Sequence, residues 1–307
     1  MAVVSSFRPS RHLLENLALI AAQADAVVVA DDGSGPGAHD VLDAVRATGA
    51  GVVALPENQG VAAALNAGLD AADLGPDDLA VMFDQDSSVP HGFISALVTA
   101  WDAGERAGLR MGMVSPERFA GVPQTAGGVD ADGFWRSVEP IQSGSLVSGR
   151  VLAETGGLQA DLFIDLVDKE YWLRLRRHGR ECLAVPGLDL PHELGRTYAL
   201  TLAGRVVRPA APLTFSISMP FRYYYRVRNR VVVNREYWRD HAGLLTRDTL
   251  LEVRHLVLVW LSAQHRGAFL RVVARGLRDG LCGRMGRMPD DVARLAAGIR
   301  WRINPLR

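Results

Sequence analysis

The sequence predicts an α/β protein: a mostly parallel sheet with flanking helices, followed by a basic helical C-terminal extension. Three observations carry that expectation. Four short apolar runs alternate with helix-period segments between residues 2 and 83. Those runs are almost continuously apolar, as strands covered on both faces must be. Charge is also divided unevenly along the chain. Residues 1–195 carry 13 Lys and Arg against 27 Asp and Glu, and residues 196–307 carry 21 against 7, so a net charge of zero conceals −14 and +14. At 307 residues the chain is longer than one hydrophobic core usually supports. The expected division is a main domain over 1–215, in two parts of about 1–116 and 117–215, and an extension over 216–307.

The elements follow in order. Residues 2–6 read as a strand, and residues 11–22 as a helix with Leu13, Leu14, Leu17 and Ile20 on one face. The run AVVVA at 26–30 is a second strand, and it ends in Asp31, Asp32, Gly33 and Ser34. A helix at 41–47, a strand at 51–55, a helix at 60–72 and a strand at 79–83 complete a β-α-β-α-β-α-β series. MGMVSP at 111–116 is a fifth strand, and the Gly-, Pro- and Asp-rich stretch 121–133 is a loop suited to closing over a ligand.

Ligands of such sheets bind beyond the carboxyl ends of the strands. Two acidic clusters fall there, Asp31 with Asp32 and Asp84 with Asp86, the second in VMFDQDSS. In an extended chain residues i and i+2 share a face, so both carboxylates of D-x-D can meet one cation. Mg²⁺ is commonly held by one or two carboxylates plus substrate phosphates. A simple turn after the strand would use the same residue types. In NQGVAAALNAG, residues 58–68, glycine and small residues permit close approach of a ligand or close packing on the sheet. IQSGSLVS places Gly144 between Ser143 and Ser145, a shape suited to an acceptor-side wall. The segment 162–179 has Asp165, Asp168 and Glu170 near a helix start and Arg174, Arg176, Arg177 and His178 near its end, before Gly179. The helix dipole alone favours that order, but a carboxylate in the first turn also suits a general base. His192, after a short apolar strand, is by itself a structural histidine as readily as a ligand.

Several classes are disfavoured. No G-x-G-x-x-G follows the first strand and no G-x-x-x-x-G-K-[ST] occurs, so neither a dinucleotide fingerprint nor a P-loop is present. SSFRPS after the first strand is unlike the basic, Gly-rich loop of a nucleotidyltransferase. Two cysteines, Cys182 and Cys282, offer no disulfide framework or zinc cluster. No secretory signal opens the chain, and LVLVWLSA at 256–263 is too short to span a bilayer. The expected location is cytoplasmic, with peripheral contact at the inner membrane face as one use of the basic extension. Packing on the main domain or a homodimer contact is the other. No nucleic-acid recognition module accompanies the arginines.

Taken together, the segments VVSSFRP, VVVADDGS, NQGVAAALNAG, FDQDSS, SGSLVS, GGLQADLFIDLVDKEYWLRLRRHG, PHELG and FRYYYRVRNRVVVNREY resemble, in order, the family 2 glycosyltransferases, and among them the rhamnosyltransferase-like bacterial enzymes. The resemblance implies a GT-A fold, a donor-binding part at about 1–116 and an acceptor part at about 117–215. It implies inverting transfer from a dTDP- or UDP-sugar, most closely dTDP-rhamnose, to a cell-surface polysaccharide or lipid-linked glycan. It implies Mg²⁺ or Mn²⁺ on Asp84, Asp86 and His192, with Asp168 as catalytic base. Asp31, Asp32, Asn58, Gly60, Asn66 and Gln85 join Asp84 and Asp86 on the donor side. Val167 stands where some relatives carry another acid, a departure that bears on the carry-over from galactofuranosyl enzymes, and another donor such as UDP-galactofuranose is the alternative. The role of Tyr223 to Asn229 is open between packing and acceptor binding. A GT-A-shaped protein that binds a nucleotide or glycan without turnover is the alternative of another class.

Overall fold

The computed structural model describes residues 1–192, 197–199, 201–202, 205–206 and 214–302. The apolar run AVV opens β1 (Ala2–Ser6), whose five residues are all buried. Helix α1 (His12–Ala21) turns Leu13, Leu17 and Ile20 inward. Then come β2 (Val27–Asp31), α2 (His39–Ala47), β3 (Gly51–Ala54), α3 (Val61–Ala71), β4 (Leu79–Asp84) and α4 (Phe93–Arg106). The expected β-α alternation is present, with boundaries shifted by one or two residues. β1 lies parallel between β2 and β4, and β3 is parallel to β2.

The second part departs from simple alternation. β5 (Met111–Phe119) runs three residues past the expected MGMVSP strand, and β6 (Val122–Pro123) folds back on it. β7 (Ser145–Ser148) enters between β4 and β5 and is antiparallel to both. Its inner residues are all buried, so antiparallel pairing satisfies the same apolar pattern. After α5 (Gly149–Thr155) and α6 (Val167–Arg177), β8 (Glu181–Leu190) pairs in parallel with the far side of β5. The sheet is therefore mixed, and its first four strands are the parallel part. Loop 121–133 is fastened rather than free: Arg136 bonds Asp130, reaches Asp132 at 2.9 Å and meets Glu181 at 2.8 Å.

Two compact units emerge, Met1–Phe163 with Val167–Glu193, and Ile164–Leu166 with Leu194–Arg307. The division precedes the expected boundary at 215, and three residues before α6 belong with the second unit. That second unit has two hairpins, β9 (Thr197–Ala199) with β12 (Thr214–Ser216) and β10 (Thr201–Leu202) with β11 (Arg205–Val206). Its helices are α7 (Arg222–Ser262), α8 (Arg266–Leu281) and α9 (Asp290–Ala297). At His241 α7 leaves helical geometry. It folds back there, because Asn234 meets Thr249 at 2.8 Å and Arg226 meets Glu252 through two bonds at 2.9 and 2.5 Å. Gly276 and Gly280 of α8 lie against backbone of the first arm, where a Cβ would stand 2.5 Å from the Tyr224 carbonyl and 2.8 Å from the Arg228 carbonyl. These two glycines make the helix contact possible.

Candidate functional site

β1 ends in two hydroxyls, and each serves a different acidic cluster. Ser6 is paired with Asp31 in register, and its Oγ donates to Asp31 Oδ1 at 3.2 Å. Ser5 is paired with Asp84, and its Oγ approaches Asp84 Oδ1 at 3.4 Å. The two acidic clusters flank one central strand, because β1 lies between β2 and β4. With strands about 4.8 Å apart, the backbones bearing Asp31 and Asp84 are roughly 10 Å from each other. Both clusters lie at carboxyl ends of parallel strands, where ligands of such sheets bind.

The two aspartates after β2 are engaged with nearby chain. Asp31 accepts from the Ser34 amide at 2.8 Å and the Ser34 hydroxyl at 2.5 Å. Asp32 accepts from the backbone amides of Gln59 at 2.7 Å and Gly60 at 2.9 Å, which fixes the entry to α3. Burial raises the Asp32 carboxyl, against the lowering effect of those amides. A carboxylate oxygen has more than one lone pair, so both retain acceptor capacity toward a ligand.

The D-x-D differs from its expected geometry. Asp84 is the last residue of β4, whereas Asp86 sits in a turn closed by the Ser87 amide on the Asp84 carbonyl at 3.1 Å. The turn, not alternation along a strand, brings the two acids to one place. Asp84 Oδ1 accepts from Gln142 Nε2 at 3.0 Å, while Asp86 is 62% exposed at its side chain. Burial pushes the Asp84 carboxyl up to about 6, and the neighbouring Asp86 charge adds to the rise. No Lys or Arg forms an ion pair with either acid among the described residues. His192 Nδ1 lies 3.7 Å from Asp86 Oδ1 and is buried without a hydrogen bond. Its ring is set by Phe119, with centroids 4.7 Å apart.

These features suit a divalent cation. The crowded carboxylate pair has no arginine or lysine in an ion pair with it among the described residues, and the buried imidazole Nδ1 of His192 makes no hydrogen bond. The three side chains do not close a complete protein cage, since no group of three acids, histidines or cysteines is drawn together tightly enough among the described residues. Mg²⁺ keeps waters and substrate phosphates in just such incomplete sites.

Other expected donor residues prove to hold the scaffold. Gln85 bridges the Phe7 backbone, accepting from its amide at 3.0 Å and donating to its carbonyl at 3.3 Å. Asn66 commits both ends of its amide to Leu158, at 2.7 and 2.8 Å. Gly60 has φ +96°, and a Cβ there would stand 2.2 Å from the Phe163 carbonyl oxygen. Its missing side chain therefore admits protein backbone; the packing alternative describes it. Asn58 differs, because its Oδ1 is buried without a hydrogen bond.

Ser143, Gly144 and Ser145 are likewise relocated. Ser143 is fully buried, accepts from the Asp84 amide at 3.1 Å and pairs with Ser87 Oγ at 2.8 Å. Gly144 has φ +83° and leaves no room for a Cβ beside Leu190 and Phe93. Ser145, also fully buried, donates to the Ile141 carbonyl at 2.6 Å. These residues brace the D-x-D from behind and do not form an exposed acceptor wall. Burial of a small-hydroxyl run is the reason: its polar atoms are all used locally.

Asp168 lies in the first turn of α6, half-buried, where the amide dipoles favour the carboxylate. Glu170, also in that turn, pairs with Arg174 at 2.8 Å and serves the helix. The segment before α6 is unusual: Phe163, Asp165 and Leu166 have φ of +66°, +64° and +63°. Within the second unit, Asp165 takes Arg222 through bonds of 2.6 and 3.1 Å, and Asn229 donates to the carbonyls of Ile164 and Asp165, both at 2.8 Å. Asn229, Arg228 and Tyr223 are completely buried. The YYYRVRN segment thus has a packing role, holding a left-handed stretch that ordinary residues rarely adopt.

Sequence reasoning missed Ser5, Ser6, Gln142 and Phe119 as parts of the site. Two polar residues ending an otherwise apolar strand were a usable signal for Ser5 and Ser6. Gln142 and Phe119 gave none, because pairing of β7 and β8 with β5 decides where they go.

Residues 2–126 match the family model for glycosyl transferase family 2. Over 250 residues the chain is 26% identical to the dTDP-rhamnosyl transferase RfbF of Shigella flexneri, covering 76% of this chain and 79% of that protein. Among solved structures it is similar to GalNAc-T7 with UDP, GalNAc and Mn²⁺ (TM-score 0.53, 16% identity, 78% of this chain). It is also similar to TarS of S. aureus (TM-score 0.51, 13% identity, 77% of this chain). The chain spans 48% of the first of these structures and 39% of the second. At these identities the two structures establish likeness of fold.

Proposed function

We propose, on the premise that this chain is a rhamnosyltransferase-like protein of glycosyl transferase family 2, that it transfers L-rhamnose from dTDP-rhamnose with inversion. The acceptor is a hydroxyl of a cell-surface polysaccharide or lipid-linked glycan. The observation that supports this most is the uncompensated carboxylate pair Asp84 and Asp86 beside the unpartnered Nδ1 of His192. The rhamnosyl donor rests on the similarity to the dTDP-rhamnosyl transferase.

Asp84, Asp86 and His192 would hold Mg²⁺ or Mn²⁺, which supplies positive charge to the departing diphosphate. Ser5, Gln142 and the Ser143 hydroxyl fix the Asp84 end of that site, so little reorganisation is needed on donor binding. Asp31 and Asp32, with Asn58 beside them, receive the nucleoside. Asp168 accepts the proton of the acceptor hydroxyl as it attacks C1 from the face opposite the diphosphate. Its place in the first turn of α6 puts it where the helix dipole favours negative charge.

Thermal denaturation with dTDP, UDP, GDP and CMP, each with and without Mn²⁺, tests the reading. A metal-dependent rise with dTDP above the others is expected, because ligand at ~100 times its dissociation constant adds about 2.7 kcal/mol. A rise with UDP alone would replace the donor by a UDP-sugar. No rise with any nucleotide would overturn the catalytic reading in favour of a non-catalytic glycan-binding scaffold.

A further inference from the structure

The second unit carries an amphipathic surface that the donor chemistry does not use. On the returning arm of α7, Leu250, Val253, Val257 and Leu261 are 65, 52, 49 and 45% exposed. Steps of three and four residues put them in one line along the helix. The opposite side of that arm is the packed one, where Leu245, Glu252 and Val259 are buried. Helix α8 repeats the pattern with exposed Leu270, Leu277 and Leu281. Monomeric proteins scatter exposed leucines singly, and two ordered rows of them mark an interaction surface.

Charge identifies what the rows meet. Residues 242–281 contain three carboxylates, Asp248, Glu252 and Asp279, and none is exposed. Glu252 is buried against Arg226, and Asp279 accepts from Tyr224 at 2.9 Å and Arg275 at 3.0 Å. In the same span Arg247, Arg254, Arg271 and Arg278 are exposed. At 100° per residue, Arg247 and Arg254 lie alongside the apolar row of α7, and Arg271 and Arg278 lie alongside that of α8. Acids face inward, while leucines and arginines face water. A second copy of a region carrying +14 would repel at such a surface. A soluble polyanion would satisfy the arginines and leave the leucines in water. An anionic lipid bilayer satisfies both, with the apolar row in the acyl boundary and arginines among headgroups.

We infer that the exposed faces of residues 242–262 and of α8 dock the protein onto an anionic lipid surface. This is interfacial binding and not insertion, as no helix among the described residues is long and apolar enough to cross a membrane. The inference deepens the reading of a lipid-linked or membrane-proximal acceptor, but its physical basis lies wholly in the second unit.

Co-sedimentation of the full chain with vesicles tests it without any donor. Vesicles of phosphatidylcholine with phosphatidylglycerol should carry the protein down at low salt, and pure phosphatidylcholine should carry much less. Each arginine near an anionic surface contributes roughly fivefold to partitioning. Arg254→Ala with Arg271→Ala should therefore weaken binding by roughly 25-fold, and Leu250→Asp with Val257→Asp should abolish it. These positions are exposed, so the variants should keep the wild-type melting temperature and the wild-type response to dTDP and Mn²⁺. Absence of binding to anionic vesicles at low salt, or undiminished binding by the leucine and valine variant, would overturn the inference. So would a dimer in light scattering that the same variant dissolves, since that would make a second copy the occupant. None of these outcomes bears on donor specificity, which the nucleotide melts decide separately.

Discussion

The D-x-D of the first unit and the helices of the second treat their acids in opposite ways. In the first, Asp84 and Asp86 crowd one another with no arginine or lysine in an ion pair with them among the described residues, and burial lifts the Asp84 carboxyl to about 6. In the second, the buried acids among the described residues have their cations, Arg226 on Glu252 and Arg275 on Asp279, and half-buried Asp165 has Arg222. The same residue type is left without a paired cation at the proposed donor site and is neutralised within the helical unit. Uncompensated charge in a cleft is a functional signal because a purely structural site would have removed it.

That contrast can be broken by substitution. The largest effect should come from Asp168→Asn, which should lower turnover by about 10²- to 10⁴-fold with donor binding nearly intact. Steady-state kinetics beside nucleotide melts will check it, and full turnover in the variant would remove Asp168 from the reaction. Next, Arg226→Ala should destabilise the second unit by about 3 kcal/mol, since it strands Glu252 in a buried position. Asp84→Asn should have the opposite sign in metal-free protein. Its removal relieves an unfavourable buried charge, stabilising by up to about 3 kcal/mol at pH 7 for a carboxyl raised from 3.8 to about 6. Urea unfolding of both variants gives the two signs directly, and the Asp84 variant should lose its metal-dependent response to dTDP.

The smallest effect is the pH dependence of each unit. Folded Asp84 keeps its proton to higher pH than the unfolded chain, so its contribution to stability is lost as pH rises from about 4 to about 6. His255 behaves inversely. Burial, reinforced by Arg226, holds its imidazole down to about 4, against an ordinary value of 6.5. Its contribution is present at neutral pH and is lost as pH falls from 6.5 toward 4. Wild type compared with Asp84→Asn, and separately with His255→Phe, across pH 4 to 7 should show difference slopes of opposite sign. Parallel slopes would mean that the two units do not differ as described.

Much of the first unit was legible in the sequence because its information is local. Apolar strands alternating with helices predict a parallel sheet, and that places Asp31 and Asp84 at carboxyl ends of strands; their positions on either side of β1 come from the strand order. The D-x-D, the acidic start of α6 and the position of His192 after β8 were visible for the same reason. What was hidden depends on distant chain. IQSGSLVS reads as a polar wall until β7 is seen to enter between β4 and β5, which buries Ser143 behind Asp84. Gly60 reads as a ligand contact until the Phe163 backbone is found where its side chain would be. The YYYRVRN segment had no readable role, because its partners at Ile164 and Asp165 lie more than 60 residues away. A 41-residue helical pattern likewise gave no sign of the reversal at His241.

The entry of β7 between β4 and β5 also bears on how the protein is made. As the chain leaves the ribosome, residues 1–126 can complete every β-α turn of the parallel part, yet β4 then has an open edge and β5 has no place beside it. An exposed edge of that kind invites pairing with other chains. Residue 148 must emerge before β7 can seal the gap, and Ser143 reaches the Asp84 amide only then. A fragment cut where the family match stops, at residue 126, would accordingly keep its aspartates and lose the strand that closes the sheet around them.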